Sequence, residues 1–355
     1  MTKYILGIES SCDDTGAAIV SSDKQILSNI VITQLKEHAP YQGVVPEIAA
    51  RSHMQNLESA VRQALFDAKM SLSDLDGIAV TAGPGLIGGV IVGTMFAKGL
   101  ASVTKKPFIA VNHLEGHVLT PRLTSDITFP YLSLLVSGGH CQFIAVLGLG
   151  HYKILGQTLD DAVGEAFDKT AKLLGLGYPG GPAVEALAKS GQHDAYKLPL
   201  SMTEREGCDM SFSGLKTAVR RIVEEAKDKK NHSEKFIQDI CASFQYTASE
   251  ILSRRSLNAI EMFNKLCNET GIRNDTMTQN FILSGGVAAN IYLREKLQQA
   301  LSIHNFKLVA PPISLCTDNA AMISWAGLER LKLRLVDDLN FCPRARWSLE
   351  DLTAI

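Results

Sequence analysis

The stretch Tyr4-Ile-Leu-Gly-Ile-Glu-Ser-Ser-Cys-Asp-Asp-Thr-Gly-Ala-Ala-Ile-Val20 decides how the rest of the chain is read. Tyr4 to Glu9 has a strand's apolar pattern, Ser10 to Gly16 interrupts it, and Ala17 to Val20 resumes as a second strand. Gln25 to Ile32, with Ile26, Ile30 and Ile32, reads as a third. Asp13, Asp14 and Thr15 fall at the tip of the interruption. Hydroxyls and backbone N–H groups there suit an anion, and a carboxylate suits hydrated Mg²⁺ or a ligand. A plain acidic hairpin turn accounts for the same residues, because Asp and Gly are common in turns.

The pattern then starts again. Tyr131 to Val136 reads as a strand, Ser137-Gly-Gly-His140 as a polar turn, Cys141 to Val146 as the returning strand, and Tyr152 to Gly156 as a third. Two three-stranded openings with similar turns indicate an internal duplication. Duplicated lobes of this kind set two phosphate-holding hairpins across a cleft.

Between the two openings, Ile48 to Lys69 reads as helical and Asp76 to Val80 as a buried strand. Thr81-Ala-Gly-Pro-Gly-Leu-Ile-Gly-Gly89 follows, and glycines there let backbone approach backbone or a ligand. The spacing fits neither a P-loop nor a Rossmann fingerprint. Phe108 to Val111 is the next strand and delivers Asn112-His-Leu-Glu-Gly-His117 at its end. Histidines at i and i+4 share one helix face, which makes half of a metal site. Two surface histidines near a helix start explain the pair equally well. Glu115 lies about 200° around the helix from His113, so it is badly placed for the general base of an H-E-x-x-H protease.

The second half is helix-rich. Leu159 to Leu174 carries several carboxylates, Ser233 to Asn268 reads as wholly helical, and Phe281 to Asn290 as strand, glycine turn and helix start. Lys307 to Ala310 is a last strand. Leu315-Cys-Thr-Asp-Asn-Ala320 caps a helix reaching Leu331, with Asp318 or Thr317 as the natural N-cap. For Asp318, capping and metal ligation both stay open. Asn268 to Asn280 reads as a surface loop.

With 46% hydrophobic and 20% charged residues, the 355-residue chain has the composition of a globular protein with a sizeable core. That length suggests two domains or two lobes. The net charge of −2 gives no global sign of nucleic-acid binding, so an RNA-binding role needs a local basic patch. Seven cysteines without a C-x-x-C pair, and no recognisable leader, read as reduced and cytoplasmic or organelle-matrix; cytoplasmic is the expectation. Leu86 to Leu100 is apolar but broken by Gly88, Gly89, Gly93, Lys98 and Gly99, which reads as a buried helix rather than a membrane span.

Laid out in order, nine segments resemble one family. They are Ile8 to Thr15, Gly83 to Leu86, Asn112 to His117, Leu135 to His140, Gly164 to Thr170, Tyr178 to Gly181, Phe212 to Lys216, Ser284 to Asn290 and Cys316 to Asn319. The chain resembles, from about Tyr4 to Gly327, the bacterial-type tRNA N6-adenosine threonylcarbamoyltransferases, the TsaD, Gcp or YgjD family formerly called O-sialoglycoprotein endopeptidases. The resemblance implies an α/β class, duplicated actin-like/hexokinase-like (ASKHA) ATPase fold, with two lobes around a nucleotide and metal cleft. The lobes are expected at 1–125 and 126–340, the second with a helical insertion, followed by a tail at 341–355. It implies transfer of threonylcarbamoyl from threonylcarbamoyl-AMP to N6 of the adenosine at tRNA position 37, in tRNAs reading codons that begin with adenine.

The resemblance also implies residues. His113, His117 and Asp318 would ligate one divalent ion, and a His-His-Asp set suits iron or zinc alike; Mg²⁺ would accompany bound nucleotide. Leu135, Val136, Ser137, Gly138, Gly139, Asp168, Gly181 and Asn290 would hold the nucleotide. Asp13 and Asp14 sit where the family has an acidic pair close to the phosphates. Leu135 stands where archaeal and eukaryotic members carry a tyrosine ligand, and Asp14 where many bacterial relatives have glutamate. Partners implied are tRNA, an inactive paralogue of the same fold (TsaB-like) and a small P-loop ATPase (TsaE-like); organellar members act as homodimers.

A carbamoyl–phosphate mixed anhydride is already activated, so the chemistry needs polarisation and alignment rather than a covalent nucleophile. Asp13 is the favoured proton acceptor for the attacking amine and Asp14 the second. Lys216, Arg220, Arg221, Arg254, Arg255, Arg330, Lys332, Arg334, Arg344 and Arg346 are candidate tRNA phosphate contacts, although solvated helix-face charge is the default for each. The rival functions are a metallopeptidase, a small-molecule kinase or ATPase chaperone on the same fold, and a non-catalytic scaffold subunit.

Overall fold

The polar break after residue 9 is where the first sheet turns back on itself. The computed structural model describes residues 1–41, 43–228, 233–272 and 279–352. β1 (Tyr4–Glu9), β2 (Asp14–Ser21) and β3 (Ile26–Thr33) form an antiparallel meander. After the single turn α1 (Leu35–His38) comes α2 (Pro46–Ala68), opened by a proline whose missing N–H costs nothing there. β4 (Gly77–Gly83) lies parallel to β1, and α3 (Ile87–Thr104) leads to β5 (Phe108–Asn112), parallel to β4. The order is β3-β2-β1-β4-β5. α4 (His113–Thr124) leaves the carboxyl end of β5.

The same plan is then rebuilt. β6 (Tyr131–Val136), β7 (Cys141–Gly148) and β8 (His151–Gln157) form the second meander. Next come α5 (Val163–Leu174), α6 (Gly180–Ala188), α7 (Ser213–Asp228) and α8 (Glu234–Thr270). β9 (Gln279–Ser284) pairs parallel with β6, α9 (Ile291–Ser302) follows, and β10 (Phe306–Val309) pairs parallel with β9. The order β10-β9-β6-β7-β8, read backwards, repeats the first sheet strand for strand. The duplication expected from the two openings is therefore real. α10 (Ala320–Lys332) is the last helix.

The chain divides into two units, Met1–Ile127 with Leu149–His151 and Thr317–Ile355, and Thr128–Gly148 with Tyr152–Cys316. α10 and the tail fall in the first unit. The cause is packing on β1. A Cβ on Gly7 would stand 2.5 Å from the Ala320 carbonyl oxygen, so only glycine lets α10 come this close. Ser324 Oγ then donates to the Ile5 carbonyl at 2.6 Å. The tail continues over the same sheet. Asp337 accepts from Ala110 N–H at 2.8 Å, and Arg344 N–H donates to the Ala82 carbonyl at 2.8 Å.

Three local expectations change. β2 begins at Asp14, so Asp14 and Thr15 are strand residues rather than the tip of a turn. Thr15 is buried with its hydroxyl on His53 Nδ1 at 2.8 Å, a satisfied interior group. α3 is long and apolar enough to pass for a membrane span by composition, yet it packs Gly89, Val90, Gly93, Ala97 and Ala101 inward and leaves Ile91 and Met95 exposed. It is a half-buried covering helix rather than a wholly buried one. The proposed surface loop at Asn268 to Asn280 is helix up to Thr270, and its 273–278 part lies outside the described residues. In the second unit α8 supplies the spine of the core, with Phe244 edge-on to Phe167 of α5 at 4.9 Å between ring centroids.

Candidate functional site

The first unit gathers its polar side chains at the carboxyl ends of β1 and β5, where α/β sheets usually bind ligands. Asn112 ends β5 and caps α4, its Oδ1 accepting from Leu114 N–H at 2.9 Å. Its Nδ2 donates to the Trp347 carbonyl at 3.1 Å, so the tail fixes the orientation of the amide. The cap sets His113 at the first helical position and His117 one turn later, both buried. Their rings meet edge-on with centroids 4.7 Å apart.

Asp318 closes the set. Its Oδ1 lies 3.1 Å from His117 Nε2 and 3.6 Å from His113 Nε2, and one ligand atom from each residue falls within 4.8 Å of the others. Two imidazole nitrogens from buried residues and one carboxylate oxygen from a half-buried one converge in a way that fits a divalent cation. The N-cap of α10 is Asn319, whose Oδ1 accepts from Met322 N–H at 3.1 Å. Neither Asp318 nor Thr317 is that cap, contrary to expectation. The asparagine does the capping, and the carboxylate before it faces the histidines.

Glu9, read in the sequence only as the end of an apolar strand, proves central. It is 1% exposed and accepts from Ser11 N–H at 2.7 Å and from the Thr81 hydroxyl. Its Oε2 stands 3.1 Å from His113 Nδ1. The sequence signal was a charged residue closing an otherwise apolar strand, but its partner lies 104 positions away. Burial works against a charge on Glu9, yet His113 beside it holds the carboxyl below its ordinary range. Burial likewise opposes protonation of His113, but Glu9 and Asp318 carry it up to about 9.

Asp13 and Asp14 are half-buried at the start of β2. Burial, then the charges of Asp13 and Asp318, push Asp14 up to about 7 against a lowering hydrogen bond from Thr33. Behind the acidic pair, His53 Nε2 lies 3.1 Å from the Cys12 carbonyl oxygen and ties the turn to α2. The glycine run after β4 serves backbone packing. A Cβ on Gly85 would come within 2.6 Å of the Ser11 carbonyl oxygen, and Leu86 N–H donates to that oxygen at 2.7 Å.

The second unit carries the other predicted residues. Leu135 and Val136 are buried strand residues of β6, so only the backbone of that pair is offered outward. Ser137 turns the chain, its hydroxyl accepting from His140 N–H at 3.0 Å. A Cβ at Gly138, Gly139 or Gly181 would meet nothing within 4 Å, so protein packing does not demand glycine there. That open space is what a ligand pressed against backbone N–H groups requires. Asp168 accepts from Gly180 N–H at 2.8 Å at the start of α6. Asn290 is buried and engaged at both ends, Oδ1 accepting from Leu293 N–H and Nδ2 donating to Gln245 Oε1, at 2.8 and 2.9 Å.

The candidate phosphate contacts divide sharply. Arg255 is fully buried and donates to the carbonyls of Met202 and Arg205 at 2.8 Å and of Gly207, so it holds a loop and is not a nucleic-acid contact. Arg330 pairs with the buried Glu115 at 3.3 Å, and Lys216 with Asp161 at 3.1 Å. Arg220, Arg221 and Arg254 each have a glutamate one turn away. Lys332 lies over Trp325 at 4.9 Å and Arg344 over Trp347 at 5.0 Å. Arg334, Arg344 and Arg346 are exposed.

The family model described as "TsaD: tRNA N6-adenosine threonylcarbamoyltransferase" matches residues 25–325. A relative of that name from Orientia tsutsugamushi (strain Ikeda) is 59% identical over 348 residues, 98% of this chain and 99% of the relative. Another, from Rickettsia bellii (strain OSU 85-389), is 58% identical over 350 residues, 99% of this chain and 100% of the relative. Among solved structures, full-length HypF in its phosphate- and nucleotide-bound form superposes with a TM-score of 0.55 at 14% identity, over 94% of this chain and 47% of that one. Component A of the (R)-2-hydroxyglutaryl-CoA dehydratase of Acidaminococcus fermentans gives 0.52 at 14% identity, over 93% and 99%. These last two likenesses are of fold, the duplicated ASKHA architecture.

Proposed function

The chain belongs to the family of tRNA N6-adenosine threonylcarbamoyltransferases, and from that premise we propose how its residues divide the transfer of threonylcarbamoyl from threonylcarbamoyl-AMP to N6 of adenosine 37 of tRNA. The open glycine turn Ser137-Gly138-Gly139, with Gly181, receives the adenylate against backbone N–H groups. Asp168 and Asn290 shape that cradle by capping α6 and α9, and Leu135 and Val136 contribute through the backbone. His113, His117 and Asp318 would hold a divalent cation, iron or zinc. Bound there, it would supply positive charge to substrate oxygens. Mg²⁺ would accompany the nucleotide.

The adenine N6 attacks the carbamoyl carbon, a new C–N bond forms, and the bond from that carbon to the phosphate oxygen breaks. AMP leaves with the electron pair, and the proton lost from N6 goes to a carboxylate. The sequence favours Asp13 for that task; the structure's surroundings favour Asp14. A carboxyl lifted to about 7 is matched to accepting a proton at neutral pH. Burial and Asp13 are its leading causes, and both remain when a cation neutralises Asp318.

The observation that carries this reading is the convergence of three ligand atoms from α4 and from Asp318, two residues before α10. Glu115, the group a zincin would need as base, is buried and paired with Arg330, which speaks against peptidase chemistry. An inactive paralogue and a small P-loop ATPase are the proposed helpers. The test supplies purified chain with unmodified tRNA and threonylcarbamoyl-AMP, with and without such helpers, and reads nucleosides by mass. Threonylcarbamoyladenosine is expected; its absence under every condition would contradict the assignment.

A further inference from the structure

The Glu9 carboxylate sits behind His113, on the side of the ring away from Asp318. Its Oε1 accepts from Ser11 N–H at 2.7 Å, while Oε2 accepts from the Thr81 hydroxyl and lies 3.1 Å from His113 Nδ1. Ser11 Oγ stands 3.1 Å from the same nitrogen. A hydroxyl takes either role in a hydrogen bond, so Ser11 alone would leave the imidazole tautomer undecided. An ionised carboxylate only accepts. Nδ1 must therefore keep its proton in the neutral imidazole that a cation would bind, and the lone pair is then on Nε2, the nitrogen 3.6 Å from Asp318 Oδ1.

We infer that Glu9 is the positioning residue that holds His113 in its ligating tautomer and orientation. The inference rests on reading His113, His117 and Asp318 as a cation site. Carboxylates behind ligating imidazoles fix the ring and raise its basicity, and losing one typically costs about 10- to 100-fold in metal affinity.

The surroundings of Glu9 make one isosteric substitution unusually informative. In Glu9→Gln the Ser11 backbone N–H can only donate, so the amide oxygen stays with Ser11. The NH₂ group is then turned to Thr81 and His113. An NH₂ facing Nδ1 calls for a lone pair there, which moves the ring proton to Nε2, on the Asp318 side. The substitution inverts the tautomer at almost unchanged volume.

The experiment measures Zn²⁺ affinity of the metal-stripped full chain by competition with a chromophoric chelator, for the wild type and Glu9→Gln, alongside thermal melting of the stripped proteins. The wild type is expected to bind zinc, and Glu9→Gln to bind it about 10- to 100-fold more weakly with the stripped protein melting as before. Equal affinity overturns the role of Glu9 while leaving the cation site standing, as does a lower melting point with affinity intact. No zinc binding by the wild type removes both readings. Should Glu9→Gln not fold, ¹⁵N spectra of histidine-labelled, zinc-loaded wild type decide. Zinc on Nε2 with Nδ1 protonated supports the inference, and zinc on Nδ1 overturns it.

Discussion

As the proposed proton acceptor, Asp14 would give the reaction a pH limb. Held up to about 7, it would have to lose its proton before taking one from N6, so the transfer rate is expected to rise with pH to a plateau above its titration. A cation on Asp318 removes that residue's share, which sets the midpoint of the loaded enzyme at or somewhat below about 7. Asp14→Asn is expected to lower turnover by about 10²- to 10⁴-fold and to abolish the limb; a pH profile unchanged by the substitution would return the role to Asp13. The same shift has a stability consequence. An ordinary aspartate titrates near 3.9 when unfolded, so the folded state bears a penalty for the charge that is complete above about 7 and absent below about 4. Metal-stripped Asp14→Asn should therefore melt above the wild type at pH 8, with the difference vanishing towards pH 4. What the sequence could show at this scale was the spacing of His113 and His117, because i and i+4 are local. Glu9 stayed hidden because its partner arrives from another strand end. Arg255 looked like any helix-face cation, and only the folded loop at 202–207 reveals its carbonyl partners.

Helix caps place the two halves of the proposed cation site. Asn112 starts α4 and Asn319 starts α10, and each holds a ligand within a residue of itself. Asn319→Ala should cost about 1 kcal/mol of stability, while Asn319→Asp keeps the cap. A silent Asn319→Ala would mean that Asp318 caps after all and is unavailable to the histidines. The tail acts at the other helix, since the Trp347 carbonyl orients the Asn112 amide. Removing residues 337–355 is expected to weaken Zn²⁺ binding as well as lower the melting point, which calorimetry and chelator competition would show. Periodicity located α2 and α8 well, for long apolar stripes outlast local ambiguity. It misjudged α3, because the apolar run continues over Ile87, Ile91 and Met95, which stay exposed, while only one face, with Gly89 and Gly93, is buried.

At the scale of the whole molecule, the duplication is what the sequence displayed most clearly. Each half opens with the same meander, and each sheet repeats the other's order. Less visible was the return of α10 to the first sheet, since nothing in a linear pattern says that Gly7 makes room for it. Charge is nearly balanced at −2, and most candidate phosphate contacts are already engaged with glutamates, aspartates or aromatic rings. The exposed Arg334 and Arg346 are left as the tRNA-facing candidates. Neutralising both should flatten the salt dependence of tRNA binding by about one unit of slope per lost contact, whereas Lys216→Ala should leave the slope unchanged. The most direct test of the account is threonylcarbamoyladenosine formation by protein stripped with a chelator and then restored with Fe²⁺ or Zn²⁺, read by nucleoside mass analysis. Transfer lost on stripping and regained on restoration by the wild type, but not by His113→Ala, is the predicted result. Undiminished transfer by the stripped protein would contradict it.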